Sequence, residues 1–189
     1  PENVAWILNI RGYDSEFSPI PNARLLINSK GNIDLFSQSK KFIKIKKNFS
    51  KKIKFHHEHK IEKKLRNLWK NNIWLDSLSC SVHYKSLLAK NNRIIQKIDP
   101  IYFFKSIKNP TEIKNMKKSH MVDGVALTKF LFWLKKNFRK KKITEISAQK
   151  KLEGFRKMNK TYKFPSFSTI SGTGPNSAII HYKASIKSN

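Results

Sequence analysis

One histidine near the end of the chain stands where its side chain could take part in acid–base chemistry. His181 follows Ala178, Ile179 and Ile180, an apolar run that predicts a buried strand. An imidazole changes charge near neutral pH and can donate or accept a hydrogen bond. At the end of a buried strand it is either satisfied by a partner in the core or faces a cleft. Spacing alone leaves both roles open, although the structural role is the commoner one.

The segment that carries this histidine, residues 166–182, has the pattern of a β-hairpin. Residues 166–170 alternate small polar with apolar side chains, and residues 178–182 form a second apolar run. Between them lie turn-forming residues, which are Gly172, Gly174, Pro175 and Asn176. We therefore expect two strands joined by a turn, and we expect the two glycines and the proline to shape that turn without taking part in chemistry.

Four blocks of the sequence resemble the aminopeptidase P (Xaa-Pro aminopeptidase) family, which has a creatinase-like, pita-bread catalytic fold. The blocks are AWILNIRGYD at 5–14, KSIKNPTEIKNMKKSHMVDGVALTKFLFWL at 105–134, ITEISAQKKLEGFR at 143–156 and SFSTISGTGPNSAIIHY at 166–182. They follow the family's order over nearly the whole chain. The resemblance implies an α/β chain in which residues 1–103 are the C-terminal part of a noncatalytic creatinase-like N-terminal domain. Residues 104–189 are then the first helices and hairpin of a pita-bread catalytic domain.

The resemblance also implies a function for the intact protein. Members of this family remove the N-terminal residue from peptides whose second residue is proline. Two divalent ions, usually manganese, hold and activate a bridging water. His181 matches the family's substrate-binding histidine, which is placed to donate a hydrogen bond near the scissile bond and to support proton movement. The resemblance further implies a homodimer of the intact protein.

The metal ligands of the family come after the position of this histidine: two aspartates, a further histidine and two glutamates. The present chain starts at Pro1 without an initiator methionine and stops at Asn189. We therefore expect an internal fragment that holds no metal itself and is inactive alone. A noncatalytic remnant and one half of a split peptidase remain alternatives, and both predict no activity even with added manganese.

The charge balance suggests a further alternative. The chain has 40 Lys and Arg against 12 Asp and Glu, a formal net charge of +28, which is typical of proteins that bind nucleic acid or acidic membranes. The lysines are spread over every segment, however, which favours a solvated surface over a nucleic-acid site. Cys80 is the only cysteine, so an internal disulfide is impossible, which fits a cytoplasmic protein. The apolar runs are shorter than the roughly 20 residues of a membrane span.

Three other sets of polar residues could have a function. The tetrad His56, His57, Glu58 and His59 lacks the spacing of a helical zinc motif and predicts a solvated loop. His120 and Asp123 fall on or near the apolar stripe of a long predicted helix, where we expect a structural polar contact. Arg11 and Asp14 follow the first apolar run, and we expect them to form an exposed pair with a structural or interface role.

The elements that must position these residues can be predicted from periodicity and caps. Residues 4–10 are a continuous apolar run that predicts a buried strand. Residues 23–36 predict a hairpin, residues 40–50 a basic helix, and residues 53–98 an alternation of strands and helices. Asn109, Pro110 and Glu112 predict a helix start, and Thr144 predicts the cap of a second helix. In a fragment, apolar side chains such as Phe167, Ile170 and Ile180 would lie uncovered, which predicts aggregation or a loose state.

Overall fold

The computed structural model describes residues 1–186, which form two compact units. The first unit comprises residues 1–15 and 19–107, and the second comprises residues 16–18 together with the chain from Lys108 onward. Helices and strands are mixed in the first unit, and the described part of the second unit contains only helices and turns. In residues 1–186, no helix combines the length and apolarity needed to cross a membrane.

The first unit contains two small sheets. The first sheet has the strand order β1 (Arg24–Ile27), β2 (Ile33–Ser37) and β3 (Ile53–His57), and the second pairs β4 (Asn72–Leu75) with β5 (Arg93–Gln96). β1 and β2 are antiparallel, with Arg24 opposite Phe36, whereas β2–β3 and β4–β5 are parallel. The predicted hairpin is therefore confirmed, and Gly31 with φ +75° provides its turn.

Four short helices cover these sheets. They are α1 (Glu2–Ile7), α2 (Ile61–Arg66), α3 (Val82–Ala89) and α4 (Pro100–Ser106). The predicted alternation of helices and strands over residues 53–98 is confirmed. The predicted basic helix at 40–50 is wrong in part, because the structure has two separate 3-10 turns, Ser39–Phe42 and Lys46–Asn48.

The prediction of a strand at residues 4–10 is wrong, because Glu2–Ile7 is a helix. A continuous apolar run fits a buried strand and a buried helical segment equally well, so periodicity could not decide between them. In the structure Val4 and Ala5 are buried while Trp6 and Ile7 face outward. Asn3 Nδ2 donates a hydrogen bond of 2.6 Å to Asp99 Oδ2, which ties α1 to the start of α4.

The core of the first unit lies around the middle strand of the larger sheet. Leu35 on β2 has no exposed surface, and it packs in one cluster with Val4, Ile10, Ala23 and Phe42. A second cluster joins Leu65, Leu75 and Leu88 beside the smaller sheet. The side chains that form both clusters come from helices and strands alike, as expected of an α/β layer.

The second unit is built on two long helices, α5 (Pro110–Asn137) and α6 (Glu145–Lys157). Both predicted caps are confirmed. Asn109 Oδ1 accepts from the backbone N–H of Glu112 at 2.9 Å, and Glu112 Oε2 accepts from the N–H of Asn109 at 2.8 Å. Thr144 and Ser147 form the equivalent box at the start of α6.

A forked ion pair joins these two helices. Arg156 Nε and Nη2 donate to Asp123 Oδ1 at 2.6 Å and to Oδ2 at 3.0 Å. The hydrogen bond to Asp123 raises the pKa of Arg156 above its ordinary value. The predicted structural role of Asp123 thus takes the form of a contact with α6 and not with His120, whose Nδ1 lies 2.9 Å from the carbonyl oxygen of Met116.

Replacing Asp123 by asparagine should destabilise the second unit modestly. Asp123→Asn removes the negative charge and one of the two hydrogen bonds with Arg156. Because half of the carboxylate is exposed, we expect a loss of about 0.5–1 kcal/mol in the free energy of unfolding, equivalent to a fall of about 1–4 °C in Tm. Thermal unfolding followed by circular dichroism measures it. Glu153→Gln, which removes the charge of a partly buried carboxylate paired with the exposed Lys157 along α6, is the control and should cost less. An equal cost for both variants would contradict a special role for the fork.

Candidate functional site

One loop in the described part of the chain carries His181, and a network of buried polar groups holds this loop in place. The loop consists of residues 171–182, which we call the His181 loop, and it packs on the N-terminus of α6. It contains a 3-10 turn, Gly174–Ala178. All of its contacts described below lie within the second unit.

The predicted hairpin over residues 166–182 is wrong, because this segment contains turns and no strand. The backbone bonds explain the difference. The N–H of Asn176 donates to the carbonyl of Thr173, that of Ile179 to Asn176, and that of Tyr182 to Ile179, at 3.2–3.3 Å. These bonds are local and follow one another along the chain, so the backbone groups that a ladder needs are used within successive turns.

Glu145 is the centre of the network that holds this loop. It occupies the first position of α6, where its side chain is 4% exposed. Oε1 accepts from the backbone N–H of Thr173 at 2.7 Å and from Asn176 Nδ2 at 3.1 Å. Oε2 accepts from the Tyr182 hydroxyl at 2.6 Å. The hydrogen bond from Tyr182, with those from Asn176 and Thr173, outweighs the effect of burial and lowers the pKa of Glu145.

Tyr182 is bound from two sides. Its side chain is 9% exposed, and its hydroxyl donates to Glu145 while accepting from Asn176 Nδ2 at 3.0 Å. A second anchor runs through the backbone of α6, since Ser171 Oγ donates to the carbonyl of Glu145 at 3.1 Å. The beginning and the end of the His181 loop are therefore both fixed to the same residue.

Two glycines shape the loop, although the turn joins no strands and is therefore not the hairpin turn that was predicted. A Cβ at Gly172 would lie 2.9 Å from the carbonyl oxygen of Asn176, so a larger residue would force this turn apart. Gly174 has φ +55°, a conformation that side chains other than glycine seldom adopt. Ser177 Oγ closes the 3-10 turn by donating to the carbonyl of Gly174 at 2.6 Å.

His181 itself lies at the surface, directly before the anchored Tyr182. Its backbone has φ +55° although it is not a glycine, a conformation that is found at functional sites more often than elsewhere and that surrounding contacts must hold in place. Its imidazole is exposed, and among residues 1–186 it has no hydrogen-bond or ion-pair partner. The sequence left two roles open, a ring satisfied in the core and a ring that faces a cleft; in the structure the ring is exposed and not satisfied in a core.

A cavity of about 770 Å³ opens elsewhere in the second unit. Residues of α5, the end of α6 and the segment after it line this cavity, among them His120, Asp123 and Arg156. His181 is not part of it. The His181 loop combines a strained backbone with a buried charge. We therefore take this loop as the candidate site and not the cavity.

The remaining candidates from the sequence have structural partners. His56 Nε2 lies 2.6 Å from Asp34 Oδ1, and His57 Nδ1 accepts from the backbone N–H of His59 at 3.4 Å. The predicted pair between Arg11 and Asp14 does not form. Arg11 donates to the carbonyl of Ile10 at 2.9 Å, whereas Asp14 accepts from Lys41 and from the N–H of Asn22, both at 2.6 Å.

The described residues offer no group of side chains that could ligate a metal ion. Within residues 1–186, no three His, Cys, Asp or Glu side chains come together as a metal centre requires. Glu145, the buried carboxylate of the site, has its oxygens occupied by hydrogen-bond donors. The described residues therefore do not fit a metal site.

Sequence reasoning missed Glu145 and Tyr182. The signal for Glu145 was weak, because an acidic residue directly after a helix cap is common and is favoured by the helix dipole alone. Tyr182 was visible only as the last residue of an apolar run. Their pairing across 37 positions depends on the folded path of the loop.

Comparison with known proteins agrees with the resemblance seen in the sequence. The model of the creatinase/prolidase N-terminal domain matches residues 1–112, and that of metallopeptidase family M24 matches residues 114–189. The chain is 36% identical to Xaa-Pro aminopeptidase 1 of Dictyostelium discoideum over 96% of its own length and 30% of that relative. It is 34% identical to Xaa-Pro aminopeptidase ApepP of Drosophila melanogaster, over 100% of the chain and 32% of the relative.

A solved structure gives the same result. The X-prolyl aminopeptidase of Caenorhabditis elegans, described as a cytosolic enzyme with a di-nuclear active site, matches 99% of this chain and 32% of its own, with a TM-score of 0.85 and 27% sequence identity. The chain thus spans about a third of the length of the relatives that it matches. It carries a creatinase-like N-terminal domain and the start of an M24 domain, which confirms the α/β fold class. The chain belongs to the creatinase/prolidase family of metallopeptidases, and it resembles the aminopeptidase P members of that family over nearly its whole length.

Proposed function

We propose that the intact protein containing this chain is an Xaa-Pro aminopeptidase, which removes the N-terminal residue from peptides with proline in second position. The observation that carries this proposal is the His181 loop. In a chain that matches Xaa-Pro aminopeptidases from end to end, it presents an exposed imidazole on a strained backbone that is anchored to a buried carboxylate.

His181 binds the substrate in this proposal. An exposed imidazole can donate a hydrogen bond to a peptide carbonyl beside the scissile bond, and histidine is the side chain that most often transfers protons in catalysis. The ring needs a fixed direction for either task. The anchored neighbour Tyr182 supports this direction, because its hydroxyl is held at 2.6 Å from Glu145.

We propose that the reaction also uses two divalent metal ions, and that these are Mn²⁺. The match to family M24 and the di-nuclear site described for the Caenorhabditis elegans enzyme support two ions. When bound, such ions would supply an activated water. Because the described residues of this chain do not fit a metal centre, we assign the metal ligands to other residues of the intact protein. The 189-residue chain should accordingly be inactive alone.

The domain assignment is part of the proposal. We assign residues 1–103 to the noncatalytic creatinase-like domain and residues 104–189 to the start of the catalytic domain. The division of the fold after Ile107 and the junction of the two family matches between residues 112 and 114 support a boundary in this region. We further propose a cytoplasmic homodimer. A cytosolic relative and the single cysteine, Cys80, support the location.

Metal removal tests the proposed activity. The full-length gene product should release the first residue of an X-Pro peptide, lose this activity on dialysis against a chelator, and regain it with Mn²⁺ more fully than with Mg²⁺ or Zn²⁺. A peptide with alanine in second position is the control substrate. Absence of X-Pro cleavage in the Mn²⁺-loaded protein would overturn the proposal and favour a noncatalytic remnant.

A further inference from the structure

We propose that Glu145 is a positioning residue for His181: its buried carboxylate holds the His181 loop in the conformation that turns the imidazole outward. This inference rests on the proposed role of His181 in substrate binding. It assigns a role to a side chain that lies 36 positions before the histidine.

Burial and bonding make Glu145 suited to this task. A carboxylate that is 4% exposed would be costly without partners. Here both oxygens accept hydrogen bonds, and the three described donors come from the His181 loop: the N–H of Thr173, Asn176 Nδ2 and the Tyr182 hydroxyl. Its lowered pKa and its place in the first turn of α6, where the helix dipole favours negative charge, keep the group ionised and strongly accepting at neutral pH.

The carboxylate is also rigid. The carbonyl of Thr144 accepts from Ser147 Oγ, and Ser147 Oγ accepts from the N–H of Thr144, both at 2.9 Å, so the cap fixes the first turn of α6. Ser171 Oγ adds a bond to the backbone of Glu145. The loop is thus attached to a helix end whose own geometry is set, which is the arrangement expected where a side chain must be placed accurately.

A single peptide bond connects His181 to the anchored residue Tyr182. Tyr182 cannot shift without changing the backbone dihedral angles of the preceding residue, and that residue has φ +55°. A histidine adopts this left-handed conformation only when its surroundings impose it. The bond between Tyr182 and Glu145 is one of the described side-chain contacts that can do so, and its loss should let residue 181 relax to negative φ and move the ring.

Amide hydrogen exchange of the full-length gene product tests whether Glu145 holds the His181 loop in its conformation. In Glu145→Ala, peptides covering residues 171–182 should exchange about tenfold faster or more, because the Thr173 amide and the turn behind it lose their acceptor. Glu145→Gln should lie between Glu145→Ala and wild type, since an amide oxygen can still accept from Thr173 but the Tyr182 hydroxyl loses its charged acceptor. Glu153→Ala, on the same helix and paired with Lys157, is the matched control and should leave these peptides unchanged. Wild-type exchange over 171–182 in Glu145→Ala would overturn the inference.

A double-mutant cycle measured by kcat/KM tests whether Glu145 acts through His181. Glu145→Ala should lower kcat/KM for an X-Pro peptide about tenfold to a hundredfold through misplacement of the ring. In a His181→Ala background, the same change should lower it less than twofold, because there is no imidazole left to misplace. Two effects that multiply would overturn the inference, since they would show that Glu145 acts independently of His181.

The two proposals fail in different ways. If the metal-loaded wild-type protein cleaves no X-Pro peptide, the proposed function fails, and hydrogen exchange together with the His181 imidazole resonances in wild type and Glu145→Gln still decides whether Glu145 sets the loop. If wild type cleaves and His181→Ala is impaired while Glu145→Ala is not, the function stands and the positioning role of Glu145 is rejected.

Discussion

Replacing His181 by alanine should lower kcat/KM of the full-length enzyme for an X-Pro peptide by a hundredfold or more, the ordinary size of the effect for a positioned proton-transfer group. The physical reason is that alanine removes the imidazole and with it both nitrogen atoms that could donate a hydrogen bond or carry a proton. If the imidazole acts mainly as the reaction proceeds, the loss falls on kcat more than on KM. Steady-state kinetics with a quenched fluorescent X-Pro peptide provides the measurement.

The control for this substitution is another exposed histidine of the same unit. His120 on α5 has a backbone contact within its own helix, and His120→Ala should keep kcat/KM within about twofold, as expected for a surface side chain outside the site. Equal Tm values for both variants would show that the kinetic effect is local. Unchanged kinetics in His181→Ala would remove this residue from the mechanism, whereas the proposed function is decided by cleavage of X-Pro peptides in the wild type.

Truncating Leu35 should have the largest effect on stability. This side chain has no exposed surface and lies on the central strand of the larger sheet, in contact with the cluster of Val4, Ile10 and Phe42. Leu35→Ala removes buried methyl groups and leaves a cavity, which costs about 2–5 kcal/mol. Since domains are stable by only about 5–15 kcal/mol, we expect a large part of the stability of the first unit to be lost.

Urea unfolding measures this loss as a shift of the midpoint. Leu78→Ala is the matched control, because that leucine is 80% exposed and its removal should change the free energy of unfolding by less than about 0.5 kcal/mol. A Leu35→Ala protein that unfolds at the wild-type midpoint would contradict the assignment of Leu35 to the core.

The sequence predicted best where short-range chemistry decides the structure. The helices that start at Pro110 and Glu145 were predicted from capping residues, and the β1–β2 hairpin from its turn, because caps and turns act within four residues of the chain. The resemblance to aminopeptidase P was also readable, since its four motif blocks span most of the chain. These features gave the fold class and drew attention to His181.

The failures share a different cause. Residues 4–10 and 178–182 are apolar runs without a clear period, and such runs do not distinguish a strand from a helix or an ordered turn. Tertiary contacts decided both cases: the bond from Asn3 to Asp99 for α1, and the carboxylate of Glu145 for the His181 loop. Neither contact could be predicted, because each joins residues that are distant in sequence and ordinary in type.

The His181 loop and its anchor come from one short stretch of the chain. Glu145 and Tyr182 are 37 residues apart, and the described bonds of the loop use groups that lie within this interval. During synthesis, the loop can therefore assemble as soon as α6 and this stretch have left the ribosome, before later residues are made. Domains generally fold from the N-terminus during translation, so the histidine can take its position early on the nascent chain.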